Sequence, residues 1–383
     1  MSLTSLDLFA GAGGMTLGLK NSGIKTIGAI EIDKFAGETF KENFPEIPMY
    51  NRDIHSFSKS EIEKNFLGVD LITGGAPCQG FSVSGPSQYG IIDERNSLIM
   101  EFYRFVSILK PRFTIFENVK GILNGKMSPT KKALDTYISA MESIGYTSKI
   151  YILQAADFGV PQSRQRVFVL SGLNSPIFPE RIIGGYEGEE NWVKIKDVFG
   201  DLPIINAGEG QDDGVPYLTE PLTDYQKLMR KNSKMVFNHV AMKHTNRLIE
   251  RFKQIPQGGS LLDVPAEFGQ RQRNGSSLDV NKRYKTNNQR LDPNKVSKIV
   301  TASFQSTFVH PTLNRNLTAR EGARLQGFPD DFIFKGPRTL MSKSLLIKEN
   351  RENEIGLSQY NQIGNAVPPL MAQRISEIIL EMV

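Results

Sequence analysis

Along about the first 170 residues, apolar and polar positions alternate in two rhythms. Short β-rich runs at Ser5–Ala10, Thr26–Glu31, Asp70–Thr73, Phe113–Glu117, Ser148–Leu153 and Val167–Ser171 predict strands, with a further short strand expected just before Asp53. Between them, segments near 14–22, 34–44, 59–66, 97–109 and 130–144 carry apolar residues at helical spacing. Strands alternating with helices imply βαβ units, hence an α/β fold with a mostly parallel, Rossmann-like sheet and helices on both faces. Ligands of such sheets sit beyond the carboxyl ends of the strands. The chemically notable residues fall there: glycines after the first strand, Glu31 ending the second, Cys78 after the fourth and Glu117 ending the fifth.

From about Gly184 the periodicity fades, and Gly, Asn, Asp and Pro become frequent. This change predicts a second, irregular domain over 184–355, with 1–183 and 356–383 forming the first. The closing segment runs through Gly364-Asn365-Ala366-Val367-Pro368-Pro369 into a helical pattern of Met371, Ile375, Ile378, Ile379 and Met382. That helix is expected to dock on the early sheet. Residues 337–355 are charged and read as a surface loop.

With 383 residues and 39% hydrophobic content, the chain can bury a large core without disulfides. Cys78 is the single cysteine, so its thiol is left for packing or chemistry, as in a reducing cytosol. No apolar run approaches the roughly 18–20 residues of a membrane span, and the first residues lack a signal-peptide layout. The expectation is a cytoplasmic, monomeric protein with no membrane association. The net charge of +5 is unevenly spread: Lys243 to Lys298 holds twelve Lys or Arg against five Asp or Glu. That excess of seven is the footprint of a polyanion-binding surface.

Asp7-Leu8-Phe9-Ala10-Gly11-Ala12-Gly13-Gly14-Met15 is a glycine-rich turn leading from strand to helix, which lets backbone approach a ligand. Thr16 stands where a dinucleotide fingerprint has its third glycine. Glu31, eighteen positions beyond Gly13, can accept from ribose hydroxyls, and Asp53 can meet an adenine amino group. The set points to a nucleoside without a required pyrophosphate, such as S-adenosylmethionine. In Gly74-Gly75-Ala76-Pro77-Cys78-Gln79-Gly80-Phe81-Ser82, the thiol leaves a strand inside a Gly/Pro-rich loop, a poor core position. The polar stretch Ser82 to Asn96 is long enough to close over a substrate. Glu117 can hydrogen-bond or protonate a ring nitrogen if burial raises its pKa. Arg164 and Arg166, on the same side of a strand, suit an anionic or carbonyl-bearing substrate.

Taken in order, these segments resemble the motifs of the DNA (cytosine-5)-methyltransferase family across nearly the whole chain. Asp7–Gly14 resembles its donor-binding motif, Pro77-Cys78 its Pro-Cys pair, Glu117-Asn118-Val119 its Glu-Asn-Val and Gln162-x-Arg164-x-Arg166 its Gln-x-Arg-x-Arg. Leu317-Thr318-Ala319-Arg320-Glu321, running into Arg324-Leu325-Gln326-Gly327-Phe328-Pro329, resembles its ninth motif, and Gln362–Pro368 its tenth. The resemblance implies methyl transfer from S-adenosylmethionine to carbon-5 of a flipped cytosine in a specific sequence of double-stranded DNA, without a metal. Cys78 would attack carbon-6, with Glu117 and Arg164 as its catalytic partners, and the segment 80–97 would close over the base. Phe9, Gly11, Gly13, Glu31, Asp53, Gly75, Pro77, Gln79, Leu98, Asn365 and Val367 would line the donor pocket. Gln162, Arg166 and Ser82 would face the substrate, region 184–355 would recognise the target, and a restriction endonuclease would be the functional companion. A tRNA-methylating branch of the same architecture is the first alternative, although it carries a further cysteine motif that this chain lacks. A catalytically silent DNA-binding regulator is the second.

Overall fold

The structure, a computed structural model, describes residues 3–77, 97–125, 132–269, 287–339 and 343–383. The predicted strands assemble into one sheet. Strands β1 (Thr4–Leu8), β2 (Lys25–Ile30), β3 (Met49–Tyr50), β4 (Leu71–Gly74), β5 (Phe113–Val119), β6 (Tyr146–Gln154) and β7 (Gln165–Leu173) lie in the order β3-β2-β1-β4-β5-β7-β6. Pairing is parallel from β3 through to β5, whereas β7 runs antiparallel to both β5 and β6. The carboxyl ends of β1, β2, β4 and β5 therefore share one edge, and β7 begins at that edge.

Helices α1 (Gly14–Ser22), α2 (Lys34–Asn43), α3 (Lys59–Phe66), α4 (Ser97–Leu109) and α5 (Ala133–Ser143) alternate with these strands. Helices α2 and α3 start on side-chain caps: the Asp33 carboxylate accepts the Ala36 N–H at 2.9 Å, and Ser58 with Glu61 forms a reciprocal capping box. Later come α6 (Asp224–Arg230), α7 (Asn246–Gln254), α8 (Phe304–Thr307), α9 (Ala319–Gln326), α10 (Lys343–Lys348), α11 (Gln359–Asn365) and α12 (Pro369–Glu381). No helix among the described residues is long and apolar enough to cross a membrane. The chain divides into two compact units: Met1–Phe158 with Arg164–Glu187 and Ala366–Val383, and Gly159–Ser163 with Gly188–Asn365.

In the first unit, the two-residue period of the strands sends Leu6, Leu8, Ile30, Ile72, Phe116, Val167 and Val169 into one core with Ile62, Phe66, Phe102, Phe105, Tyr137 and Met141 of α3, α4 and α5. Phe116 stacks on Tyr137 at 4.9 Å, and Phe102 meets Phe116 edge-on at 5.3 Å. The closing helix α12 packs on α1, so its host is a helix that itself rests on the sheet. Gly18 makes that approach possible, since a Cβ there would stand 2.4 Å from the Ala372 Cβ.

Among its described residues, the second unit has only two-residue strand pairs and is organised by buried charge. Every residue of α9 is buried, although the helix carries Arg320, Glu321 and Arg324. Glu321 caps the helix with Thr318 and takes both arms of the Arg315 guanidinium, at 2.8 and 2.7 Å. Arg320 donates to the carbonyls of Phe237, Pro329 and Phe332 at 2.9, 2.8 and 2.6 Å. Arg324 bonds Asp330 at 3.0 and 2.6 Å, Asp201 at 2.5 and 3.1 Å, and the Val198 carbonyl at 2.6 Å. The segment 337–355, expected as a loop, contains α10.

The basic cluster is smaller at the surface than the sequence implied. Arg251 is buried and donates to the Phe268 and Gly269 carbonyls. Arg290 is also buried, and serves the carbonyls of Phe252, Ile255, His310 and Leu313 and the Asn314 side chain. Lys243, Lys253, Lys295 and Lys298 are exposed; Lys253 pairs with Glu250 at 2.7 Å and Lys295 with Asp292 at 3.5 Å. Arg271, Arg273, Lys282, Arg283 and Lys285 lie outside the described residues.

Candidate active site

The carboxyl edge of the sheet carries the turn after β1, Glu31 just past β2, Gly75 just past β4 and Glu117 near the end of β5. After β1 the chain turns through Phe9, which takes a left-handed backbone with φ of 57° that a bulky residue rarely adopts. Gly11 follows with φ of 56°, and Gly13 with φ of 100°. The two glycines are required for different reasons. A Cβ on Gly13 would meet the Phe44 ring at 2.5 Å, whereas nothing lies within 4 Å of the Cβ direction of Gly11. That opening leaves backbone accessible, and it borders a carboxylate: Glu31 accepts the Gly11 N–H at 2.8 Å and the Asp33 N–H at 2.7 Å. An adenosine-bearing donor fits such an edge, with backbone open to contact beside an acid suited to ribose hydroxyls.

Burial raises the pKa of Glu31, and the two N–H donors pull it back. Beneath the turn, fully buried Asp7 receives the hydroxyls of Thr16 at 2.6 Å and Thr73 at 2.9 Å, tying β1 to α1 and β4. Burial pushes its carboxyl up to about 6, against the pull of both hydroxyls. Asp53 stands half-exposed and caps its own turn by accepting from the His55 N–H at 2.9 Å, which lowers its pKa. Leu98, in the first turn of α4, packs against the core, and Val367 lies just before α12. Asn365 ends α11 in the second unit and is exposed.

The loop after β4 is described as far as Pro77, which is exposed; Cys78, Gln79, Ser82 and the expected closing segment 80–97 up to residue 96 lie outside the described residues. Gly74 pairs with Phe116 across β4 and β5, so Gly75 arrives beside Glu117. A Cβ on Gly75 would stand 2.8 Å from Glu117 Oε2. The antiparallel register sets Glu117 opposite Phe168, and Arg166 is the diagonal neighbour on the same face. Its Nε lies 3.1 Å from Glu117 Oε1, with both side chains buried. Burial raises the Glu117 pKa, while Arg166 first and then Arg164 draw it down.

Sequence reading named Arg164 as the cation of the catalytic set and Arg166 as a substrate contact; Arg166 makes an ion pair with Glu117. Arg164 precedes β7 and is buried; its backbone N–H donates to Gln154 Oε1 at 2.8 Å, and its guanidinium donates to the Ala366 carbonyl at 3.2 Å. Burial and the Arg166 charge lower its pKa, opposed by Glu117. An arginine begins so far above neutrality that it keeps its charge. Gln162, expected at the substrate, is fully buried in the second unit. Its Nε2 donates to the Leu325 carbonyl at 2.8 Å and to Gln326, and its Oε1 accepts the Val300 N–H at 3.0 Å. Asn118 was noted only as part of a motif, yet its Nδ2 donates to the Ala76 carbonyl at 3.1 Å. A polar residue one position past a strand-end acid was the available signal.

Comparison with known proteins agrees with this geometry. A family model for C-5 cytosine-specific DNA methylases matches residues 3–381. The type II methyltransferase M.DdeI of Desulfomicrobium norvegicum is 43% identical over 381 residues, 98% of this chain and 88% of that one. The type II methyltransferase M1.HphI of Haemophilus parahaemolyticus is 32% identical over 387 residues, 100% of this chain and 88% of its own. Among solved structures, a prophage-encoded Escherichia coli protein assigned as a DNA modification methyltransferase superposes with a TM-score of 0.76 at 27% identity, over 100% of this chain and 99% of that one. The S. pombe Dnmt2 methyltransferase shares the fold, with a TM-score of 0.57 at 18% identity over 99% and 98% of the two chains. The chain belongs to the C-5 cytosine-specific DNA methylase family and is a DNA cytosine-5 methyltransferase, for which membership implies S-adenosylmethionine as methyl donor.

Proposed function

We propose that the first unit carries the chemistry through Cys78 and that the second reads the DNA target. The Cys78 thiolate adds to carbon-6 of a cytosine turned out of the duplex, forming an S–C6 bond and making carbon-5 enamine-like. Glu117 holds a proton at ring nitrogen-3 while the ring takes up this electron pair. The upward push of burial on its carboxyl favours that role, and Arg166 orients it. Arg164 supplies the positive charge that favours a thiolate. When bound, S-adenosylmethionine offers carbon-5 an electrophilic methyl group and leaves as the neutral thioether. Loss of the carbon-5 proton to a base then breaks the S–C6 bond and returns the thiolate.

Phe9, Gly11, Gly13, Glu31, Asp53, Gly75, Pro77, Gln79, Leu98, Asn365 and Val367 are the proposed donor-pocket residues, and Ser82 a substrate contact. Gln162 is better read as a brace of the second unit, because its amide is already committed there. Exposed Lys243, Lys253, Lys295 and Lys298 are the candidates for phosphate contact. A companion restriction endonuclease is proposed because the similar curated proteins are type II methyltransferases. The observation that carries this reading is the carboxyl of Glu117 lying against Gly75, three residues before Cys78, at the edge where the open glycine turn and Glu31 also stand.

Expression in a host without cytosine methylation, followed by bisulfite sequencing of its plasmid, tests the reading. Protected cytosines are expected at one recurring short sequence. Complete conversion of every cytosine, with the protein folded and abundant, would contradict it.

A further inference from the structure

The end of β5 grips the loop after β4 at two successive residues. Glu117 lies against Gly75, and Asn118 holds Ala76 through its Nδ2, at 3.1 Å from the Ala76 carbonyl. Neighbouring side chains on a strand point to opposite faces, so the two grips come from opposite sides of the sheet. The Asn118 carboxamide has a defined orientation, because its Oδ1 accepts the Val119 N–H at 2.8 Å and leaves the amino side for the loop. Both Asn118 and Ala76 are buried, so water is a poor substitute for the bond between them. Ala76 is two residues before Cys78, and Asn118 directly follows Glu117. The two groups assigned to the chemistry thus leave from a shared, hydrogen-bonded frame.

We infer that Asn118 is a positioning residue, whose bond to Ala76 sets where the Cys78-bearing loop departs relative to the Glu117 carboxyl. This rests on the roles proposed above for Cys78 and Glu117. Small displacements of a reacting group are costly, and roughly 100-fold in rate is a reasonable scale for one supporting contact. Asn118→Ala should therefore lower kcat by about 100-fold, with a far smaller loss of donor affinity, since Gly75, Pro77 and Gln79 of the same loop are among the proposed donor-pocket residues.

Asn118→Asp gives a sharper test at nearly constant size. A carboxylate has no hydrogen to give Ala76, whereas a protonated carboxyl does. Burial and Glu117 favour the protonated form in that variant, and Arg166 and Arg164 oppose it. The kcat of Asn118→Asp relative to wild type should rise several-fold as pH falls from about 8 to about 6. A change that merely loosened the fold would give no such recovery.

The measurements are single-turnover methyl transfer on duplex DNA, donor affinity by calorimetry, and adduct formation with DNA containing 5-fluorocytosine. Wild-type kcat in Asn118→Ala, or a loss of donor binding in step with kcat, overturns the inference. So does a pH-independent ratio for Asn118→Asp, which decides the matter if the alanine variant does not fold. If wild-type enzyme forms no adduct, the reading of Cys78 fails and this inference with it. An adduct in wild type together with a flat ratio removes the inference alone.

Discussion

Replacing Cys78 by serine is expected to lower methyl transfer by about 10⁴-fold or more while leaving donor binding intact. The two side chains are similar in size, but the hydroxyl is a far weaker acid and its oxygen a poorer nucleophile than a thiolate near neutral pH. The proposed donor edge is the Phe9–Gly13 turn and Glu31, which reach their positions through β1, α1 and β2. Calorimetric titration with S-adenosylmethionine and single-turnover transfer rates separate the two effects. A serine variant with near wild-type rate would remove Cys78 from the chemistry.

Arg324→Met is expected to destabilise the second unit by about 3–5 kcal/mol at neutral pH. Methionine keeps much of the aliphatic bulk but gives up the bonds to Asp201, Asp330 and the Val198 carbonyl. It leaves two fully buried carboxylates short of their principal cation. The pH dependence has a definite sign. In the wild type Arg324 holds the Asp330 carboxyl below its usual range, so that acid adds stability above its unfolded pKa and loses it as pH falls. Without Arg324, burial prevails, the Asp330 pKa rises, and its protonated form becomes the better tolerated one. The gap between variant and wild type should therefore narrow as pH drops toward about 4. His310, pushed by burial to about 4, also favours higher pH but is present in both proteins and cancels in the difference. Urea melts at two pH values measure the gap; a gap that widens in acid would mean the carboxylates are satisfied without Arg324.

The sheet and its helices were legible because local pattern decides them. A strand buried on both faces reads as an apolar run, and apolar residues at helical spacing mark the helices between the strands. Strand order was less legible, since the antiparallel return of β7 depends on pairing between distant segments. That return is what brings Arg166 to Glu117. Buried arginines were the larger blind spot. Arg251, Arg290, Arg320 and Arg324 look like surface charge in the sequence, and their burial is set by acceptors contributed from elsewhere in the chain. For the same reason Gln162 reads as a substrate contact, although its partners at Val300 and Leu325 lie far along the chain. The glycine turn, Glu31 and Glu117 were visible because strand ends are where a parallel sheet exposes chemistry.

The most direct measurement is mass spectrometry of the protein–DNA adduct trapped on a duplex containing 5-fluorocytosine within the methylated sequence, with donor present. Fluorine cannot depart as the carbon-5 proton does, so the covalent complex should persist after methyl transfer. Digestion is expected to find the modified pyrimidine on the peptide bearing Cys78, at its sulfur. An adduct on another residue, or methylated DNA released with no covalent complex at all, would contradict the assignment.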